Sequence, residues 1–191
     1  MDYIITALIS YLFGSIPFGY IFTKIFLKKD IRNVGSGNIG ATNVLRTGNK
    51  RLGYLTLILD ILKAVIPVIY VKLYYPDLIF ISALCAFLGH LFPVWLKFDG
   101  GKGVATFVGI LISINIYYAL VFGIVWILTF FISKYSSLSS LFASISIPIY
   151  LLIINQGNII FFIIMFVLIF YTHRENIKRL INKEETKSKI Y

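Results

Sequence analysis

Residues 32–48 read Arg-Asn-Val-Gly-Ser-Gly-Asn-Ile-Gly-Ala-Thr-Asn-Val-Leu-Arg-Thr-Gly. Gly35, Gly37 and Gly40 let a ligand come close to the backbone. Ser36, Asn38, Thr42 and Asn43 add neutral hydrogen-bonding groups, and Arg46 adds a planar fork that matches phosphate. Successive amides in such a loop can form a concave anion site. A flexible hydrophilic linker shares the glycines, and a glycine-rich pattern alone is weak evidence. Three asparagines among those glycines are more than a linker needs.

A second loop runs from Gly89-His90-Leu91-Phe92-Pro93 to Phe98-Asp99-Gly100-Gly101-Lys102-Gly103-Val104-Ala105-Thr106. It is not a nucleotide P-loop. That spacing needs a glycine where this chain has Leu96, and Ser or Thr where it has Gly103. What remains is a turn built on Gly100, Gly101 and Gly103 that opens a helix near Val104. There, N–H groups and the positive end of a helix dipole face an anion, and Lys102 adds a full charge. His90 ends an apolar run and reads first as structural.

The third element is Thr172-His173-Arg174-Glu175-Asn176-Ile177-Lys178-Arg179-Leu180. On a helix, His173, Asn176 and Leu180 share one face, and so do Arg174 and Lys178. Topology and anionic headgroups account for Lys178, Lys187 and Lys189, but they do not call for His173 or Asn176. The serines of Ser136-Ser137-Leu138-Ser139-Ser140, Ser139 among them, can cap a helix or donate to a phosphate. Asp60 and Lys63 lie within an apolar run. Ionisable groups in such a place are functional candidates, yet their i, i+3 spacing lets them pair, so a structural ion pair is the first reading and a substrate role the second.

The elements that carry these loops face lipid. The 191 residues are 59% hydrophobic and 14% charged, whereas soluble domains carry about 25% charged residues. The apolar runs are 3–23, 54–75, 78–96, 104–132 and 138–171. The last, as one helix, would measure roughly 51 Å against a hydrocarbon core of about 30 Å. Asn115 interrupts the fourth run, and Asn155-Gln156-Gly157-Asn158 interrupts the fifth. Splitting both gives spans near 3–23, 54–75, 78–96, 104–114, 117–132, 138–154 and 159–171.

The expected fold is therefore an all-α integral membrane protein, a single polytopic domain of about seven short transmembrane helices. The net charge is +10. In a soluble chain this would suggest nucleic acid, but here the charges sit in short loops and mark one side of the membrane. Seven spans put residues 24–53, 97–103, 133–138 and 172–191 together, with 16 of the 18 Lys and Arg. Lys63 and Lys72 are the exceptions. The positive-inside rule then sets the N-terminus outside and the C-terminus in the cytoplasm. Five spans is the alternative, and Lys134 argues against it. The first apolar run lacks a basic leader and a small-residue cleavage site, and reads as a retained span. The single cysteine, Cys85, excludes an intramolecular disulfide, and no Cys/His metal spacing occurs.

Together these motifs resemble the bacterial membrane acyl-phosphate:glycerol-3-phosphate acyltransferases. The resemblance runs from Gly14-Ser15-Ile16-Pro17-Phe18-Gly19 to about Glu185. It rests on Gly35 to Arg46, on Gly89 to Pro93 with Phe98 to Thr106, and on His173 to Leu180. There are two departures. Ala64 stands where the family usually has Gly, and Lys183 replaces the Gly of an Arg-Leu-Leu-x-Gly-x-Glu tail, while Glu185 remains.

The resemblance implies transfer of a fatty acyl group from acyl phosphate to the 1-hydroxyl of sn-glycerol 3-phosphate. Lysophosphatidate and phosphate would be the products, made at the cytoplasmic face of a bacterial inner membrane. No metal or cofactor is implied. Ser36 and Asn38, with Gly37, Asn43 and Arg46, are expected to hold one phosphate. Lys102 and the amides around Gly100, Gly101 and Gly103 are expected to hold the other. His173 and Asn176 are expected to orient glycerol 3-phosphate, with His173 or a substrate phosphate oxygen as the base. The His-x4-Asp signature of acyltransferases that use acyl-CoA or acyl carrier protein is absent: Trp95 and Lys178 stand at that spacing from the two histidines. A small anion or phosphate transporter is the alternative, but its polar motifs would lie near the midplane rather than on one side.

Overall fold

The computed structural model describes residues 2–187 in two compact units, one ending at Ile114 and one beginning at Asn115. The described residues form helices and no strand. Five stretches are long and apolar enough to cross a membrane: Tyr3–Phe26, Lys50–Tyr74, Pro76–Leu96, Ile116–Ser133 and Ser136–Ile153. A sixth is a pair, Ile159–Thr172 and Arg174–Ile181, bent by 61°. Val104–Ile114 is apolar but shorter; its 11 residues measure roughly 16 Å along the axis.

The first unit contains α1 (Tyr3–Gly14), α2 (Phe18–Phe26), α3 (Ala41–Leu45), α4 (Lys50–Tyr74), α5 (Ile79–Leu91) and α6 (Val104–Ile114). Pro17, which has no N–H to donate, breaks the path from α1 to α2. The Lys63 ammonium donates to the carbonyl of Ile16 at that break, at 2.8 Å. α1 lies on α5 backbone to backbone. A methyl on Gly14 would overlap the Ala86 carbonyl, and one on Gly89 would overlap that of Tyr11. Ser10 Oγ lies 2.8 Å from Ser82 Oγ in the same contact. Between helices in lipid there is no hydrophobic drive, so close approach and hydrogen bonds carry the association.

α4 meets α6 in the same way, with Gly109 against the Ile61 carbonyl. Lys72 then donates to the carbonyls of Ser113 at 2.8 Å and Ile114 at 2.9 Å, which closes the last turn of α6. The two lysines outside the basic loops, Lys63 and Lys72, are thus both bound to helix-end carbonyls.

The second unit contains α7 (Ile116–Ser133), α8 (Ser136–Ile153), α9 (Ile159–Thr172) and α10 (Arg174–Ile181). Asn115 caps α7, its side chain accepting from the Tyr117 N–H at 3.0 Å. Asn158, at φ 67°, leads into α9. Both long apolar runs are therefore pairs of helices divided at asparagine. Trp126 Nε1 donates to Ser140 Oγ between α7 and α8 at 3.2 Å, and the Tyr118 hydroxyl donates to Gln156 at 2.9 Å. Ile124, Ile127 and Leu128 on α7, and Ile160, Ile163 and Val167 on α9, are exposed. Apolar side chains exposed along such helices fit a surface that faces lipid.

Candidate active site

The two glycine-rich loops of the first unit share one floor. Ile31, Ile39, Val44 and Leu52 from the first loop and its flanking helices are buried together with Leu96 of the second loop. Tyr20, Phe22, Leu27 and Val34 pack around them.

Asn43 organises the first loop from inside. It is buried. Its amide nitrogen lies 3.2 Å from the carbonyl of Ile31, 2.8 Å from that of Val34 and 2.8 Å from that of Asn38. Its Oδ1 accepts the backbone N–H of Ser36 at 3.0 Å. The backbone can wrap so tightly because Gly35 sits at φ 57° with its α-carbon against Asn43, where a methyl would collide. Asn43, expected among the phosphate ligands, thus has its side chain turned into the loop, while Ser36, Gly37, Asn38 and Arg46 remain half-buried at the loop surface.

Asp30 and Arg32 flank this loop in a two-point ion pair, with Arg32 Nη2 2.7 Å from Asp30 Oδ2. The guanidinium hydrogen bonds hold the Asp30 carboxyl down to about 2. Arg32 also lies over the Tyr20 ring, 5.1 Å from its centroid. Asp99 of the second loop adds to the negative field at Arg32, a second sign that the two loops lie side by side.

The second loop rests on the end of α5. Gly100 N–H donates to the Leu91 carbonyl at 3.1 Å, and Gly101 N–H to that of His90 at 3.0 Å. These two amides, expected to face a phosphate, donate to carbonyls at the end of α5. Gly103, at φ 83°, turns the chain into α6 against Phe87. The first bond of α6 runs from Phe107 N–H to the Gly103 carbonyl at 2.7 Å. The amides just before Phe107 therefore form the N-terminal end of the helix, without partners within it. Lys102 is half-buried at that end, between two buried glycines.

Behind the loop lies a buried polar group. Lys63 Nζ is 2.8 Å from Asp60 Oδ1, and both side chains are almost fully buried. His90 Nδ1 lies 3.9 Å from the same oxygen. An unpaired charge in this apolar setting would cost several kcal/mol, and the contact gives each group a partner.

In the second unit the centre of the polar network is Glu185. It accepts from Ser137 Oγ at 2.8 Å and from Asn176 Nδ2 at 2.7 Å, and its other oxygen accepts from Arg179 Nε at 2.7 Å. Burial pushes this carboxyl up. The three hydrogen bonds and the Arg179 charge outweigh burial and hold it below the ordinary glutamate value. The chain folds back for this contact at Lys183, which takes φ 60°. Lysine here takes the left-handed conformation at the position where the resemblance has glycine.

His173 caps α9 and is buried. Its Nδ1 lies 2.8 Å from the Ile169 carbonyl. A carbonyl only accepts, so Nδ1 carries the hydrogen and Nε2 is the basic nitrogen of the neutral ring. Asn176 gives one amide hydrogen to Glu185. Ser139 is buried and its hydroxyl donates to the Tyr135 carbonyl at 2.8 Å; in that turn the serine that reaches Glu185 is Ser137. Neither Ser137 nor Arg179 stands out by composition. Glu185 does have a signal, its place in the tail pattern.

Three comparisons bear on this arrangement. The family model described as glycerol-3-phosphate acyltransferase matches residues 4–183. A glycerol-3-phosphate acyltransferase of Pelagibacter ubique is 73% identical over the whole of both chains. One from Brucella anthropi is 51% identical, over 93% of this chain and 89% of its own. The crystal structure of PlsY (YgiH), an integral membrane glycerol 3-phosphate acyltransferase, in its glycerol 3-phosphate form, superposes with a TM-score of 0.91. Its identity is 38%, over 97% of this chain and 94% of that one. With nearly its whole length matched in sequence and in fold, the chain belongs to the glycerol-3-phosphate acyltransferase family and is an integral membrane acyltransferase.

Proposed function

We propose that the protein transfers a fatty acyl group from acyl phosphate to the 1-hydroxyl of sn-glycerol 3-phosphate. The acceptor hydroxyl attacks the acyl carbon, the bond to the phosphate oxygen breaks, and an ester forms. Phosphate leaves with the bond's electron pair, and the hydroxyl proton passes to a base. The observation that carries this reading is the shared floor of the two glycine-rich loops, where Leu96 of the second packs with Ile31, Ile39, Val44 and Leu52 of the first and its flanks. Two phosphate-bearing substrates need two such anion sites close together.

Ser36, Gly37, Asn38 and Arg46 hold one phosphate, and Asn43 fixes their loop. Lys102 and the amides from Gly103 onward hold the other and stabilise the charge that leaves with it. His173 and Asn176 orient glycerol 3-phosphate, and either His173 Nε2 or a substrate phosphate oxygen takes the proton. Acyl phosphate is already activated, so positioning and charge stabilisation suffice and no protein nucleophile is needed. Seven spans, with the N-terminus outside and the loops facing the cytoplasm of a bacterial inner membrane, follow from the placement of 16 of 18 basic residues in four loops.

The test uses purified protein and labelled glycerol 3-phosphate with palmitoyl phosphate or palmitoyl-CoA in separate reactions. Label in lysophosphatidate with the acyl phosphate only is the expected result. Product from the thioester alone overturns the donor assignment, and no product from either overturns the reaction.

A further inference from the structure

The ring of His90 has no place in the chemistry above, yet it forms the underside of the Lys102 turn. Gly101 lies directly against it: a methyl on Gly101 would overlap the Nε2 edge of the ring. The Gly101 N–H is bonded to the carbonyl of the same residue. On its other edge, Nδ1 lies 3.9 Å from Asp60 Oδ1 and has no hydrogen bond. Asp60 is held by Lys63 at 2.8 Å, and Lys63 by the Ile16 carbonyl at 2.8 Å. The ring is 3% exposed, so it has nowhere to swing.

These contacts make a continuous strut. It begins at the break after α1, passes through the ion pair on α4 and the last turn of α5, and ends under the backbone next to Lys102. We propose that His90, braced by the Asp60–Lys63 pair, is a positioning residue that sets the height of the Gly100–Gly103 turn and so the reach of Lys102 toward a substrate phosphate. The proposal rests on the reading that this turn binds phosphate. His90 acts through the turn and does not touch substrate.

The physical expectation is that of a spacer. Shortening the side chain lets the turn sink, and adding a methyl to the turn lifts it. A displacement of the order of 1 Å costs a well-aligned site up to about a hundredfold. Doing both brings the turn back toward its level, because the space vacated by the ring takes the methyl.

The experiment compares His90→Ala, Gly101→Ala, the double variant and Lys102→Ala, each with KM for both phosphate substrates, kcat and the thermal midpoint. His90→Gln, which retains bulk, keeps the test usable should His90→Ala fail to fold. The expected result has three parts. Each single change raises, by about tenfold, the KM for the substrate whose KM also rises in Lys102→Ala. kcat falls by less than it does in Lys102→Ala. The double variant regains much of the loss. Losses that multiply in the double variant, or a fall in kcat and thermal midpoint with KM unchanged, overturn the positioning role. If Lys102→Ala leaves both KM values and kcat at wild-type levels, it is the phosphate reading of the turn that fails. If Lys102→Ala raises KM while the His90 variants do not, only the inference about His90 fails.

Discussion

The Glu185 carboxylate accepts a hydrogen bond from the Ser137 hydroxyl at 2.8 Å, across 48 residues of chain. With Asn176 and Arg179 on the same group, one acid ties the start of α8 to α10 and the tail. Replacing Glu185 with Ala strips an acceptor from three donors. Ser137 and Asn176 are buried, and each such donor left alone costs about 1–3 kcal/mol, while the more exposed Arg179 turns to water, so the thermal midpoint should fall by several degrees in detergent. Ser137→Ala, which removes one donor and leaves the charge paired with Arg179, should cost clearly less. Equal effects from the two would show that Glu185 is not the centre of the network.

The same acid gives a pH dependence with a definite sign. Its carboxyl is held below the ordinary glutamate value in the folded tail. The stabilisation is therefore fully present above the unfolded value of about 4.3 and is lost as pH falls through the lower folded value. Protection from hydrogen exchange over residues 174–185, measured against the unstructured rate at each pH, should stay high from neutral pH into the ordinary glutamate range and fall only below it. Glu185→Gln should remove that dependence.

Lys183 adopts φ 60° in the turn that delivers Glu185. A left-handed residue with a side chain carries a strain of roughly 1–2 kcal/mol that glycine avoids. Lys183→Gly should slow hydrogen exchange of the tail turn and raise the thermal midpoint slightly. A faster-exchanging tail in this variant would contradict the strain argument.

Asn43 binds three carbonyls and one N–H of its own loop. In Asn43→Asp the new carboxylate can still accept from Ser36 but repels the carbonyls of Ile31, Val34 and Asn38. Activity should drop by at least about tenfold, with the protein still extractable as a folded monodisperse species. Unchanged kinetics would show that the loop holds its shape without this residue.

Lys102→Ala removes the full charge at the N-terminal end of α6. Loss of one such electrostatic contact at a reacting phosphate lowers turnover by about a hundredfold. A folded variant with near-wild-type turnover would sink the assignment of Lys102.

Helix-forming apolar runs, and the asparagines that divide two of them, are legible in one sequence because they depend on local hydropathy and on backbone groups a few residues apart. The glycine-rich loops are legible for the same reason. The direction of each side chain is not. Asn43 and Asn38 are alike in composition, but one turns inward because four backbone partners lie on that side. Ser139 bonds back to Tyr135 within its own helix, while Ser137, two residues earlier, meets Glu185 48 residues away. No spacing rule chooses between those serines. The amides of Gly100 and Gly101 look available in the sequence because the carbonyls of His90 and Leu91 that take them belong to the end of another element.

Lys72, which closes the end of α6, carries a consequence for the bilayer itself. A helix of roughly 16 Å stops well short of a hydrocarbon layer of about 30 Å, and a four-carbon side chain with its ammonium bridges part of the difference. As a span, α6 would be mismatched to such a layer. Longer host-lipid chains bury that ammonium and its two carbonyls deeper, and shorter chains relieve them. As a span, α6 would favour a thin hydrocarbon layer, one that leaves the Lys72 ammonium at the interface.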